Sequence, residues 1–381
     1  MTKYFSNYEV IKLDIIQPNY LNFLIFFLFI VLIIFTTKKN NISFNNSKFL
    51  SVLHTDQLRG VAIFFVILGH LWVHVSKNKP LLIFSGNSVS FFLFLSGFGL
   101  AISTKSKTYL SFKDFILKRI RRVMIPYWVV TIIILILDYL ILNRKLEIES
   151  LLFTVIGINI RIELMHLDYA RWFVTFILLW YLIFYMFFLK LKVRFPSFCL
   201  LIIAFFMLLL DYYVWNFKWY NFFSFPIGCL IATHYERVVE FCNKNMRSLA
   251  ALSIIIIFYV IFYKLLMSDQ DINFFLIKFI PNILFVYINE INSIIFVLSF
   301  ILFTTKLVAN GFSSTFLLFL GKYSYEIFLL HGVFLIKYNP IINGIGKFTL
   351  CFQFFLFIFF IVIISFLTHK IHIFFYEKKS T

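Results

Sequence analysis

The chain has 381 residues, of which 62% are hydrophobic and only 14% are charged. Soluble domains are nearer half apolar and a quarter charged, so this composition excludes an ordinary soluble enzyme, and its high hydrophobicity also excludes a disordered chain. The net charge of +18 would suggest nucleic-acid binding in a soluble protein, but in so apolar a chain an excess of Lys and Arg is typical of the cytoplasmic loops of a membrane protein.

Eleven apolar segments are long enough, or nearly long enough, to cross a bilayer, which takes about 20 residues of helix. In chain order they are 20–36, 58–75, 87–103, 125–142, 171–189, 198–215, 221–234, 248–266, 291–307, 316–336 and 348–368. The stretch 272–288 is also apolar, but Lys278 and Pro281 interrupt it, so we interpret it as re-entrant or interfacial. The sequence therefore predicts an all-α polytopic membrane protein with a ten-helix core and one extra N-terminal transmembrane helix.

The predicted organisation has three parts. Residues 1–54 carry the extra helix at about 20–36, residues 55–370 form one membrane domain, and residues 371–381 form a basic tail. No A-x-A-like cleavage site follows the first apolar run, so we expect an uncleaved helix. Four cysteines without CxxC spacing, and no convincing spacing of His, Asp or Glu ligands, predict neither a disulfide framework nor a metal site.

Loop charge predicts the orientation of the chain. The loops 37–57, 104–124, 190–197 and 235–247 and the tail 369–381 hold 19 Lys or Arg, whereas the loops on the opposite side hold 11. Cytoplasmic loops are the richer in Lys and Arg. We therefore expect the first set and the C-terminus to be cytoplasmic and the N-terminus to be outside.

The first core helix carries ionisable residues on one face. Arg59 and His70 are eleven positions apart, almost three turns, so both side chains share a face and lie roughly 16 Å apart along the axis. His74 follows one turn later on the same face. An ionisable side chain within a bilayer is costly and indicates a functional site by default. The alternatives are a core histidine and an arginine that anchors the helix at the membrane edge.

The segment from Asp56 to His70 resembles the Arg-x10-His signature of acyltransferase family 3. Members of this family are membrane enzymes that transfer acyl groups, usually acetyl from acetyl-CoA, to hydroxyl groups of glycans and other acceptors. Five later segments resemble motifs of the family in the same order, namely an FF-x-LSGF helix (88–98), an Arg-x-x-Arg loop (117–128), a Trp-Phe helix start (171–173), a Gly-containing span (225–232) and a G-x-x-S-Y helix (320–331). The resemblance covers about 55–370.

The resemblance implies roles for both ends of that first helix. His70 would be the general base that removes the proton from the acceptor hydroxyl, since a free hydroxyl is a poor nucleophile. Arg59 would contact the donor or stabilise developing negative charge.

Arg119 and Arg122 match the Arg-x-x-Arg spacing. By the resemblance they would bind the phosphates of the acyl-CoA donor from the cytoplasm, because a planar guanidinium pairs well with phosphate. Two alternatives remain open: the arginines could serve only to set the topology, and Lys118 and Arg121 offer a second register with the same spacing.

The late helix and one tryptophan are the predicted substrate-binding residues. Ser324 and His331 are seven residues apart, about two turns, and therefore share a face, with Tyr325 beside Ser324. The resemblance places this helix near the site, although a serine in a span commonly bonds back to its own helix. Trp172 would line the acceptor path or belong to the interfacial belt of aromatic residues.

Helical spacing also predicts two ion pairs. Asp56 is three residues before Arg59, and Lys322 is four residues before Glu326, so each pair would meet on a helix surface. A carboxylate inside a span is costly unless it is paired, so we interpret Glu326 as structural.

The resemblance implies a membrane O-acyltransferase, usually an O-acetyltransferase, that moves acetyl from cytoplasmic acetyl-CoA to a hydroxyl of a cell-surface glycan or its lipid-linked precursor. Its partners would be the lipid bilayer, acyl-CoA and a glycan, without nucleic acid or a bound cofactor. It would span a bacterial cell membrane, the inner one in a Gram-negative cell.

Two alternatives to this function remain open. One is a polysaccharide polymerase or ligase, whose arginines would lie in large outer loops. The other is a transporter or flippase that catalyses no covalent reaction.

Overall fold

The computed structural model describes residues 12–39, 49–78, 80, 82, 85–105, 111–143, 148–159, 169–215, 221–268, 282–338 and 350–377. Its α-helices, numbered in chain order, are α1 (Pro18–Thr36), α2 (Val52–Val75), α3 (Ser85–Lys105), α4 (Phe112–Arg119), α5 (Ile125–Leu142), α6 (Ile148–Ile156), α7 (Trp172–Phe184), α8 (Pro196–Leu210), α9 (Ser224–Thr233), α10 (Tyr235–Ser268), α11 (Asn282–Ala309), α12 (Thr315–Lys322), α13 (Ser324–Val333) and α14 (Leu350–Glu377). Four π-helical turns extend or join them, at Ile120–Met124, Tyr185–Lys190, Asp211–Trp215 and Phe334–Tyr338. The strands are β1 (Thr37–Lys39) and β2 (Phe312–Ser314).

The chain is an all-α polytopic membrane protein, as the sequence predicts. Among the described residues, nine helical segments are long and apolar enough to cross a membrane, and the pair α12 and α13 makes a tenth if it counts as one span. Helix α11 begins at Asn282, so residues 282–288 of the apolar stretch 272–288 belong to a span, and residues 272–281 lie outside the described residues. Helix α14 continues to Glu377, so the predicted tail boundary at 371 falls inside a helix.

The predicted span 221–234 is wrong in length. Helix α9 has ten residues, about 15 Å, which is half of a hydrocarbon core about 30 Å thick. It packs against α3 where Gly97 meets Phe225 and Gly228 meets Phe94, because a Cβ on either glycine would overlap the facing carbonyl oxygen. Two glycine-containing motifs of the sequence therefore meet at one helix crossing.

The predicted span 316–336 is broken. Helices α12 and α13 meet at Tyr323 with a bend of 70°. Close approach to α2 explains the position of α12, because a Cβ on Gly60 would overlap the Leu317 carbonyl and a Cβ on Gly321 would overlap the Asp56 carbonyl. The break thus holds the start of α13 beside the Arg59 end of α2.

The N-terminal helix α1 is part of the bundle. The Phe29 and Phe64 rings are stacked with centroids 3.6 Å apart, and Trp72 Nε1 donates to Asn22 Oδ1 at 2.8 Å. Strands β1 and β2 pair antiparallel, with Thr37 opposite Ser314, and join the end of α1 to the start of α12. Helix α1 therefore packs directly on the helix that carries Arg59 and His70.

Helix α2 is the central element. Ser51 caps its first turn by accepting a hydrogen bond from the His54 N–H, and most of its residues from Leu58 to Val75 are buried. It contacts α3, α12 and α13, so the side chains along α2 meet residues that are distant in sequence.

Candidate functional site

His70 contacts His331, which comes 261 residues later in the chain. Their rings are nearly parallel with centroids 4.8 Å apart, and His70 Nδ1 lies 2.6 Å from His331 Nε2. His331 is fully buried, and its Nδ1 lies 3.1 Å from the carbonyl oxygen of Ile327, one turn earlier on α13. His74 is also near, with its ring centroid 6.4 Å from that of His70.

This chain of hydrogen bonds sets the tautomers of both imidazoles. A carbonyl oxygen only accepts, so His331 Nδ1 carries the proton that is donated to Ile327. In the neutral imidazole His331 Nε2 then accepts, and His70 Nδ1 is the donor. The lone pair of His70 is therefore on Nε2, and a general base accepts a proton through such a lone pair.

Arg59 lies at the other end of α2. Its Nη1 donates to Asp56 Oδ1 at 2.6 Å, so the first predicted ion pair is present, and the arginine side chain is 37% exposed. Arg59 and His70 line different cavities.

The cavity at the Arg59 end, which we call the three-arginine cavity, has a volume of about 290 Å³ and is lined by Arg59, Arg119 and Arg122. No Asp or Glu side chain of the described residues lines it. Ser324 and Tyr325 also line it, so the start of α13 contributes to the same cavity as the Arg-x-x-Arg segment.

The π turn Ile120–Met124 positions the two motif arginines. Arg119 ends α4, and Arg122 lies within the π turn just before Pro126, which lacks a backbone N–H to donate. The Arg119 guanidinium lies over the Phe115 and Tyr181 rings, 5.4 and 5.2 Å from their centroids. Arg119 and Arg122 line the cavity, whereas Lys118 and Arg121 do not.

The cavity at the His70 end, which we call the asparagine cavity, has a volume of about 580 Å³. His70 and Trp172 line it, together with the polar residues Asn87, Asn221, Tyr263, Lys264, Asn289, Glu290, Asn292 and Ser293. They come from α2, α3, α7, α10 and α11 and from the segment that precedes α9.

Two phenylalanines separate the cavities. Phe173 and Phe328 each line both cavities, and their ring centroids lie 5.1 Å apart in an edge-to-face arrangement. Phe328 also lies beside His331, with ring centroids 5.7 Å apart. The phenylalanine wall formed by Phe173 and Phe328 therefore stands next to the histidine pair.

The second predicted ion pair is wrong. Glu326 accepts from His369 Nδ1 at 2.6 Å, on α14, whereas Lys322 lies before the break at Tyr323 with its Nζ 5.4 Å from the Tyr323 ring centroid. The bend takes Lys322 out of the helical spacing on which the prediction depended. Glu326 is buried, and its partner is His369 in place of Lys322.

Sequence reasoning missed the polar lining of the asparagine cavity. Asn87 directly precedes the FF-x-LSGF segment and Glu290 directly precedes the predicted span 291–307, so neither was expected to be a buried polar residue. It also missed that Arg171 is buried, where Nη1 donates to Thr131 Oγ1 at 2.6 Å and the guanidinium lies over the Tyr127 ring. Within the described residues, no group of three or more His, Cys, Asp or Glu could hold a metal ion.

A family model described as an acyltransferase domain matches residues 52–370, which include both cavities and the phenylalanine wall. No curated protein and no solved structure matches the chain. The match begins at the start of α2, so helix α1 precedes the matched range.

Proposed function

The chain belongs to acyltransferase family 3, and we propose that it moves an acetyl group from acetyl-CoA to a hydroxyl of a cell-surface glycan or its lipid-linked precursor. Membership makes it a membrane acyltransferase, and the donor and the acceptor are the proposed parts. The observation that carries the proposal is the position of His70 in the wall of a cavity with several polar lining residues, with a second, cationic cavity behind the phenylalanine wall.

The three-arginine cavity supports a polyanionic donor. Three guanidinium groups converge there, and planar N–H donors pair well with phosphate oxygens. Coenzyme A carries its phosphates at the end opposite the thioester. The phosphates would be held near Arg119 and Arg122, while an extended thioester arm covers the roughly 16 Å along α2 towards His70. Coenzyme A enters as a substrate, and no resident cofactor is proposed.

The asparagine cavity supports an acceptor with several hydroxyl groups. Amide side chains both donate and accept hydrogen bonds, which suits hydroxyls, and Trp172 offers an aromatic surface at the same cavity. Its volume of about 580 Å³ is within the ~300–1,000 Å³ typical of small-molecule sites.

The proposed reaction is direct transfer. His70 Nε2 takes the proton of the acceptor hydroxyl as the oxygen attacks the thioester carbonyl carbon. The C–S bond then breaks, the new ester forms, and the coenzyme A sulfur takes the proton from His70. His331 acts as a positioning residue, because its bond to His70 Nδ1 keeps the lone pair on Nε2.

The excess of Lys and Arg in one set of loops supports a cytoplasmic three-arginine cavity and a cytoplasmic C-terminus. The asparagine cavity lies at the opposite end of α2 and would open to the outside. The donor and the acceptor would then enter from opposite faces of a bacterial cell membrane. A complex with both substrates bound from the cytoplasmic face would contradict this geometry.

The acetyl content of surface glycan tests the proposal. We expect NMR of purified polysaccharide to show O-acetyl signals in cells with the intact chain, and to show none in a deletion strain or with His70→Ala at equal expression. Glycan that keeps its acetyl groups in the deletion strain would overturn the proposed acceptor. Glycan chain length and export in that strain would then test the polymerase and transporter alternatives.

A further inference from the structure

The asparagine cavity contains buried polar atoms without a partner among the described residues. Glu290 is 4% exposed; its Oε1 accepts from the backbone N–H of Asn221, and its Oε2 has no hydrogen-bond partner. Asn87 is 3% exposed; its Oδ1 accepts from Ser293 Oγ at 3.1 Å, and its Nδ2 has no partner. Buried polar groups are ordinarily paired, so a free acceptor and a free donor in the wall of one cavity point to a ligand that supplies both.

The charge of the cavity restricts that ligand. Glu290 and Lys264 are the only charged side chains among its described lining residues, and their formal charges cancel. Glu290 is one of the lining residues, so an acceptor that placed a carboxylate or phosphate beside it would be repelled. A hydroxyl group can donate to Glu290 Oε2 and accept from Asn87 Nδ2 without adding charge.

We propose that Glu290 and Asn87 select an uncharged polyhydroxyl acceptor, with Glu290 Oε2 accepting from one ring hydroxyl and Asn87 Nδ2 donating to another. This inference rests on the proposed transferase function. The hydroxyl to be acylated faces His70, which lines the same cavity. The two side chains are thus specificity residues that orient the acceptor, and they take no part in moving the proton.

Two near-isosteric variants test the proposal. In Glu290→Gln the amide oxygen still accepts from the Asn221 N–H, while the free oxygen becomes an N–H donor. In Asn87→Asp the bond from Ser293 is kept, while the free donor becomes an acceptor. The matched control is Glu149→Gln, an exposed residue in the first turn of α6 that lines neither cavity.

The full chain in lipid nanodiscs is assayed with radiolabelled acetyl-CoA and three acceptors: octyl β-glucoside, octyl β-glucuronide and 1-octanol. We expect the wild type to acetylate the glucoside at least tenfold better than the other two. We expect Glu290→Gln and Asn87→Asp to raise the KM for the glucoside at least tenfold, with the KM for acetyl-CoA and the transfer to 1-octanol within twofold of wild type. Glu149→Gln should behave as wild type.

The outcomes distinguish a failure of the acceptor selection from a failure of the proposed transferase function. Wild type that acetylates 1-octanol or the glucuronide as well as the glucoside overturns the acceptor selection alone. The acceptor selection is also overturned if Glu290→Gln and Asn87→Asp both behave as Glu149→Gln does. It is overturned as well if the two variants lose transfer to all three acceptors together, because that result indicates a structural role for the two residues. Wild type that neither hydrolyses acetyl-CoA nor acetylates any acceptor overturns the proposed function, and this inference with it.

Discussion

The three-arginine cavity and the asparagine cavity share the phenylalanine wall yet present opposite kinds of polarity. The first has three guanidinium groups and no acidic lining residue, whereas the second has four asparagines and one charge of each sign, within the described residues. A guanidinium cluster binds anions through charge, and amides bind neutral groups through geometry. Two phenylalanine side chains therefore stand between a cationic cavity and a cavity whose formal charges cancel, as the proposed separation of an anionic donor from a neutral acceptor requires.

We expect the largest loss of acetyl transfer when His70 is replaced, because in the proposed reaction His70 moves the proton between the acceptor and the donor. We expect His70→Ala to lower acetyl transfer by about 10²–10⁴-fold, the usual contribution of a general base. Binding of acetyl-CoA, measured by titration calorimetry, should be unchanged, because His70 does not line the three-arginine cavity. Transfer at the wild-type rate would remove His70 from the reaction.

His331 should have the next largest effect. We expect His331→Ala to lower kcat by about 10- to 100-fold, a part of what general-base catalysis contributes, while both KM values stay constant. His331→Gln should recover much of this loss, because an amide oxygen can accept from His70 Nδ1. Equal kcat values for the Ala and Gln variants would contradict a positioning role.

The charge contrast is tested by two neighbouring arginines. We expect Arg122→Ala to raise the KM for acetyl-CoA by about tenfold, the loss of one charge-assisted hydrogen bond at an exposed site. Arg121→Ala removes the same charge from the same π turn but from outside the cavity, so it should change KM less than twofold. If the two variants behave alike, the arginines act only through general positive charge.

We expect the smallest change in activity when a side chain of the phenylalanine wall is replaced. Phe173→Leu keeps the site apolar but thins the wall, so we expect hydrolysis of acetyl-CoA by water to rise severalfold relative to transfer. Phe176, one turn along α7, is also buried and lines neither cavity, so Phe176→Leu is the matched control. An unchanged ratio of hydrolysis to transfer in Phe173→Leu would show that this side chain does not separate the cavities.

Most of the spans could be predicted because hydrophobicity and helix length are local properties. The failures lie where a helix ends sooner than hydropathy indicates: α9 ends at Thr233 and α12 ends at Lys322, and both pack closely on a neighbouring helix at glycines. A hydropathy pattern does not contain these contacts. For the same reason spacing predicted the pair Asp56–Arg59 within one helix but failed across the break, where Glu326 pairs with His369.

The membrane class, the shared face of Arg59 and His70, and the resemblance that the family match confirms could all be read from the sequence, because composition, helical period and motif order are local properties of the chain. Helix packing established that His331 contacts His70, that Arg122 and not Arg121 lines a cavity, and that Glu290 and Asn87 line the same cavity as His70. Those relations join residues far apart in sequence, so they exist only once the helices have packed.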